Sequence, residues 1–254
     1  MPAIVQRDEP VILQFLSYLR LPFSLVGTMA VFVLGTSLFS ICSLLKNRQL
    51  DNAIIFGWAR LLCWVNGIQM QIEGEENLPF AGCILLFNHS SYFDIPIMYR
   101  SIRKHFRFGA KAELFKTPFL GMALKTMGAL PIHRGKRTEV LKLYNASVSR
   151  VHKGESFALA PEGTRQSQAA IGEFKIGPFI FALQAGAPLV PVVIKGALEI
   201  MPKGTAIFNR GRWQRRVVLR ILSPFSTSDV NPDDIEGLRL RVREAMVTAY
   251  EKMA

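Results

Sequence analysis

"CILLFNHSSYFDIP" (83–96) starts as an apolar run and then breaks at Asn88, with a histidine and an aspartate five positions apart just beyond it. At about 100° per residue, five steps on one helix leave two side chains roughly 140° apart. On one strand an odd offset sends them to opposite faces. No single regular element lets His89 and Asp94 meet. A strand that ends at His89, turns through Ser90 and Ser91 and starts a helix near Asp94 brings them together. The stretch therefore predicts a strand, a polar turn and a helix, with the two side chains converging at the turn.

The same alternation continues downstream. "FRFGA" (106–110), "GALPI" (128–132), "SFALA" (156–160), "LVPVVI" (189–194) and "RVVLRIL" (216–222) read as strands. Helices are predicted between them at about 91–101, 118–127, 136–152 and 175–185. Asn231 as N-cap, Pro232 at the first helical position and the face Ile235, Leu238, Val242, Met246 and Ala249 mark a last helix. Strands alternating with helices predict an α/β fold with a mixed, substantially parallel sheet flanked by helices.

Upstream the pattern is different. Leu21 to Leu45 is an uncharged run, about 37 Å long as a helix and enough for a hydrocarbon core of about 30 Å. It is too long for the apolar part of a secretory signal. Its glycines, serines and threonines suit close packing against a neighbouring helix. That neighbour is "AIIFGWARLLCWV" (53–65), too short and too charged at Arg60 to span. Its two tryptophans favour a water–lipid boundary. Residues 1–66 are thus expected to form a membrane-associated helical hairpin ahead of an α/β domain at 67–254. Either a full crossing or a return within one leaflet fits the run.

The chain has 254 residues, half of them hydrophobic, and a net charge of +12. That excess points to an acidic partner such as nucleic acid, a phosphorylated metabolite or anionic lipid. The basic cluster "RGRWQRR" (210–216) fits either a turn facing anionic lipid or a solvated hairpin. No nucleic-acid motif surrounds it, and no nucleic-acid partner is expected. Cys42, Cys63 and Cys83 sit in apolar runs without metal-ligand spacing and read as buried free thiols. No metal site is expected.

In sheets of this kind, ligands bind beyond the carboxyl ends of the strands. Four polar clusters fall there: "NHSSYFD", "AKAEL", "HRGK" and "PEGTR". A carboxylate on one ring nitrogen of His89 would fix its tautomer and leave the other nitrogen as a proton acceptor. Ser90 is a poor nucleophile candidate, because no Gly-x-Ser-x-Gly elbow occurs in the chain. The base is left to serve a hydroxyl on the substrate.

"NHSSYFD", "AKAEL" with the stretch running to Arg134, "PEGTR" and "PLVPV" follow the order and spacing seen in the glycerophospholipid acyltransferases. Over residues 70–200 the chain resembles that family, and within it the 1-acyl-sn-glycerol-3-phosphate acyltransferase branch. The resemblance implies acyl transfer from a thioester, acyl-CoA or acyl-carrier protein, to the sn-2 hydroxyl of lysophosphatidic acid, giving phosphatidic acid without a cofactor. It assigns His89 as general base, Asp94 as its orienting carboxylate, and Lys111, Arg134 and Arg165 to the substrate phosphate. Gly163 would let backbone approach the ligand, with Glu162 and Thr164 contacting the acceptor or holding Arg165. Lys175 in "FKIG" would touch acceptor or donor, or simply open a helix. Ala160 and Gln166 replace the aromatic residue and serine usual in the family. The expected location is the cytoplasmic face of a bacterial inner membrane. Another lysophospholipid or glycerol 3-phosphate as acceptor, or a non-enzymatic lipid-binding protein, are the competing readings.

Overall fold

The computed structural model describes residues 11–205 and 213–253. Its strands are β1 (Ile68–Glu73), β2 (Ile84–Phe87), β3 (Phe106–Lys111), β4 (Leu130–Ile132), β5 (Ser156–Leu159), β6 (Leu189–Lys195) and β7 (Arg215–Ile221). They form one sheet in the order β1-β7-β6-β2-β5-β3-β4. All neighbours are parallel except β6 and β7, so β1 and β7 run against the other five. The sheet is mixed and mostly parallel.

The helices are α1 (Val11–Cys42), α2 (Arg48–Val65), α3 (Asp94–Ser101), α4 (Leu120–Thr126), α5 (Arg137–His152), α6 (Gly177–Gln184) and α7 (Ile235–Lys252). They cover both faces of the sheet, which explains why its central strands are continuously apolar. Leu85 and Phe87 of β2 share a core with α2 and α3, whereas Ile84 and Leu86 point into the core under α5, α6 and α7. The last helix buries Leu238, Val242, Met246 and Ala249. Asn231 caps a short 3-10 turn, Pro232–Asp234, that leads into it.

β1 lies ahead of the strand pattern legible in the sequence, which starts at Cys83. Ile68, Met70 and Ile72 alternate with Gln69, Gln71 and Glu73, and only Ile68 is buried. Such a half-polar edge strand carries a weak apolar signal. Its pairing with β7 supplies what its own sequence does not.

α1 and α2 form the expected hairpin, and small residues set their approach. A Cβ on Gly27 would lie 2.9 Å from Val65 Cγ1, and one on Gly35 would lie 2.3 Å from Trp58 Cδ1. Ser24 donates to the Val65 carbonyl at 3.2 Å, and the Asn66 amide donates to Thr28 Oγ1 at 2.8 Å. Asn47 caps α2 by accepting from the N–H groups of Gln49 and Leu50. The outer side of α1 leaves Val26, Met29, Leu34, Leu38 and Ile41 exposed. The segment Arg20–Leu45 is long and apolar enough to cross a membrane by length and composition, with 22% of its most apolar window buried.

The junction at 66–67 separates elements but not cores. Ile55, Ala59, Leu62 and Cys63 of α2 are buried in the same cluster as Leu85, Val192 and Leu219 of the sheet. α2 is thus a layer helix of the α/β unit as well as one arm of the hairpin. Cys63 and Cys83 are buried, Cys42 is half-buried, and all three are free thiols. Of the basic cluster, residues 210–212 lie outside the described residues, while Arg215 and Arg216 open β7.

Candidate functional site

β2 ends at Phe87, and Asn88 replaces the next rung of the ladder with its side chain. Its amide donates to the Ile194 carbonyl at 2.9 Å and accepts the Ile194 N–H at 2.7 Å. This fixes the end of β2 to β6, so His89 leaves the sheet from a rigid point. The chain then turns, and α3 starts at Asp94. Pro96 falls in the first turn of α3, where a missing N–H costs nothing.

Asp94 is fully buried, and one of its oxygens organises the turn. Oδ2 lies 2.7 Å from His89 Nδ1 and accepts the backbone N–H groups of Ser90 at 2.8 Å and Ser91 at 2.9 Å. Oδ1 is buried without a hydrogen-bond partner among the described residues. The imidazole keeps 19% of its side-chain surface exposed. With Nδ1 on the carboxylate as donor, Nε2 is the nitrogen left to accept a proton.

β5 is the parallel neighbour of β2, so the loop after it meets the His89 turn directly. Gly163 takes φ +72°, which a side chain rarely tolerates, and Lys175 packs where a Cβ would stand. Glu162 accepts the His89 N–H at 3.2 Å through Oε2 and the Gly172 N–H at 3.1 Å through Oε1. Gln166 N–H donates to the His89 carbonyl at 2.8 Å. Burial pushes the Glu162 carboxyl up to about 7, Asp94 adds to this, and the two backbone N–H groups oppose it. Glu162 therefore spends its oxygens on holding His89 and the 166–176 segment. Thr164 is exposed beside it.

The proposed anion ligands spread along one rim. Arg165 is half-buried, its Cζ lies 3.4 Å from the centroid of the Tyr92 ring, and its Nη1 is buried without a hydrogen-bond partner among the described residues. Lys111 closes β3, two strands from β2, and its exposed ammonium lies 3.8 Å from Glu113. Arg134 is exposed after β4, one strand further out. At about 4.8 Å per strand, those positions are roughly 10 and 14 Å from the β2 axis. A long lysine side chain spans much of the first distance. Arg134 has farther to reach.

An apolar cavity of about 390 Å³ adjoins this rim. α1, α2, α3 and α4 all contribute to it, through residues such as Phe32, Trp58, Tyr99 and Leu124, and Tyr92 and Phe93 line it from the His89–Asp94 turn. No sequence pattern announces this cavity, because its walls come from residues 28 to 201. Asn88 and Tyr92 also went unassigned in the sequence reading.

A histidine held by a buried carboxylate, with its second ring nitrogen left over, is an arrangement that can move a proton. Comparison with known proteins identifies the family. The Acyltransferase family model matches residues 69–195, and the chain belongs to that family. A 1-acyl-sn-glycerol-3-phosphate acyltransferase of Saccharomyces cerevisiae is 29% identical over 252 residues, spanning 96% of this chain and 80% of the yeast protein. One of Pseudomonas aeruginosa is 30% identical over 175 residues, 67% of this chain and 68% of its own length. The fold matches the crystal structure of the 1-acyl-sn-glycerophosphate (LPA) acyltransferase PlsC from Thermotoga maritima with a TM-score of 0.78. That match has 22% identity and covers 92% of this chain and 96% of the other.

Proposed function

We propose that the protein transfers an acyl group from a thioester to the free sn-2 hydroxyl of 1-acyl-sn-glycerol 3-phosphate, giving phosphatidic acid. The observation that carries the reading is the 2.7 Å contact between His89 Nδ1 and Asp94 Oδ2, which leaves Nε2 for a substrate hydroxyl. His89 takes the hydroxyl proton as the oxygen attacks the thioester carbonyl. The buried Asp94 stabilises the imidazolium. The C–S bond breaks, and the departing thiolate takes the proton back from His89. An ester and a free thiol result.

The unpaired Arg165 Nη1 and the nearby Lys111 suit a phosphate monoester, since a guanidinium offers two parallel donors and a lysine a point charge. The apolar cavity suits a fatty chain. The names of the yeast and Pseudomonas relatives favour lysophosphatidic acid as acceptor over other lysolipids.

Attachment to the membrane follows from α1. α2 lies in the sheet's core and α1 packs along α2. A full crossing by α1 would drag the α/β domain into the bilayer, so α1 rests in one leaflet with its outer face in lipid. The free thiols suit a reducing compartment, which favours the cytoplasmic face of the membrane. The decisive test gives the purified full chain a panel of lysolipid acceptors with both donor classes. Transfer to lysophosphatidic acid that His89→Ala removes is the expected result. Preferred transfer to a different acceptor overturns the substrate, and no transfer at all overturns the reaction.

A further inference from the structure

We propose that Tyr92 positions Arg165 for the anionic headgroup, a role that rests on the lysophosphatidic acid reading. Its neighbours Ser91, Phe93 and Asp94 are at most 4% exposed, yet Tyr92 is 55% exposed. A large ring left outside a buried turn is not spent on the core. It lies against Arg165 instead, with Cζ 3.4 Å from the ring centroid. A guanidinium that close to a ring face is restrained by it, so the ring limits where its N–H groups can stand. The buried Nη1, without a partner among the described residues, is a donor suited to an incoming acceptor, because buried N–H groups in folded proteins are otherwise paired. Tyr92 also lines the apolar cavity. The ring thus stands between the cation that meets the phosphate and the space that takes the chain.

A double-mutant cycle in the full-length protein tests this, with KM measured for lysophosphatidic acid and for the thioester. Tyr92→Leu should raise the lysophosphatidic acid KM about three- to thirtyfold, the range of a cation–π contact, and move the thioester KM less than about twofold. Tyr92→Phe should restore the low value, since the ring and not the hydroxyl does the holding. In an Arg165→Ala background Tyr92→Leu should add nothing further. A full Tyr92→Leu penalty in that background, or equal rises in both KM values, overturns the proposal while the phosphate reading stands. An Arg165→Ala variant with an unmoved lysophosphatidic acid KM overturns both. Thermal denaturation of each variant checks the fold, and Tyr92→Gln carries the same test if Tyr92→Leu does not fold.

Discussion

Glu162 holds His89 by the backbone and not by the ring: Oε2 accepts the His89 N–H at 3.2 Å while Asp94 takes the imidazole. The two carboxylates therefore divide the work. One sets where the histidine leaves the sheet, and the other sets how its ring is turned. Both are buried, which makes the turn stiff.

That division gives Glu162 a pH signature. Its folded-state value of about 7 stands above the ordinary 4.5, chiefly through burial. A raised value means the folded state holds its proton longer than the unfolded chain. The stability it contributes is full below about 4.5 and is lost as pH rises through about 7. Glu162→Gln cannot titrate, so its melting temperature should change less than wild type between pH 4.5 and 8. Parallel curves for the two proteins would show that Glu162 does not titrate in that window.

His89→Ala should lower turnover by about 10²- to 10⁴-fold, the range for a lost general base. Binding of lysophosphatidic acid should persist, because the proposed anion ligands are untouched. Asp94→Asn should fall between, since an amide can still bond the ring but cannot stabilise its positive charge. A His89→Ala variant that keeps more than a tenth of wild-type turnover removes His89 from the mechanism.

Much of this site was legible because its geometry is local. The five-residue offset of His89 and Asp94 excludes a single helix or strand, so the turn could be read from spacing alone. The partners of Glu162 could not be read that way. They are backbone groups of His89 and Gly172, which carry no side-chain signature. The hairpin showed in the length and small residues of α1, but not the burial of α2 against the sheet, since Ile55 and Leu62 look alike whether they face lipid or protein. The cavity was invisible for a related reason: four helices build it, and none is unusual by itself.

The hairpin should tolerate charge on one side only. Leu34→Asp combined with Ile41→Asp alters residues that are 68% and 66% exposed, so the melting temperature should hold while vesicle flotation drops. Gly35→Leu should do the opposite to the fold, because its Cβ would lie 2.3 Å from Trp58 Cδ1. Removing residues 1–66 takes Ile55 and Leu62 out of the shared core. At about 1.5–3 kcal/mol for each large side chain, that is a sizeable share of a total stability of about 5–15 kcal/mol. The remainder should fail to fold, and a two-state melt of the truncated chain would contradict this.

On the proposed function, Arg165 is the residue that separates acceptor recognition from chemistry. It follows β5 while His89 follows β2, and the Gln166 N–H bonded to the His89 carbonyl at 2.8 Å ties the two loops together. Arg165→Ala should raise KM for lysophosphatidic acid far more than for the thioester. A lost charge-assisted bond costs about 1.5–3 kcal/mol, or on the order of ten- to a hundredfold. Arg165→Lys should recover part of this, since the charge stays but the planar, two-pronged group that lies on Tyr92 is gone. Turnover should also fall somewhat, because in the proposed function the phosphate anchors the hydroxyl against His89 Nε2. Steady-state kinetics with each substrate varied in turn decides it. A rise confined to the thioester would move Arg165 to the donor side and leave Lys111, two strands from the base, as the first cation for the phosphate.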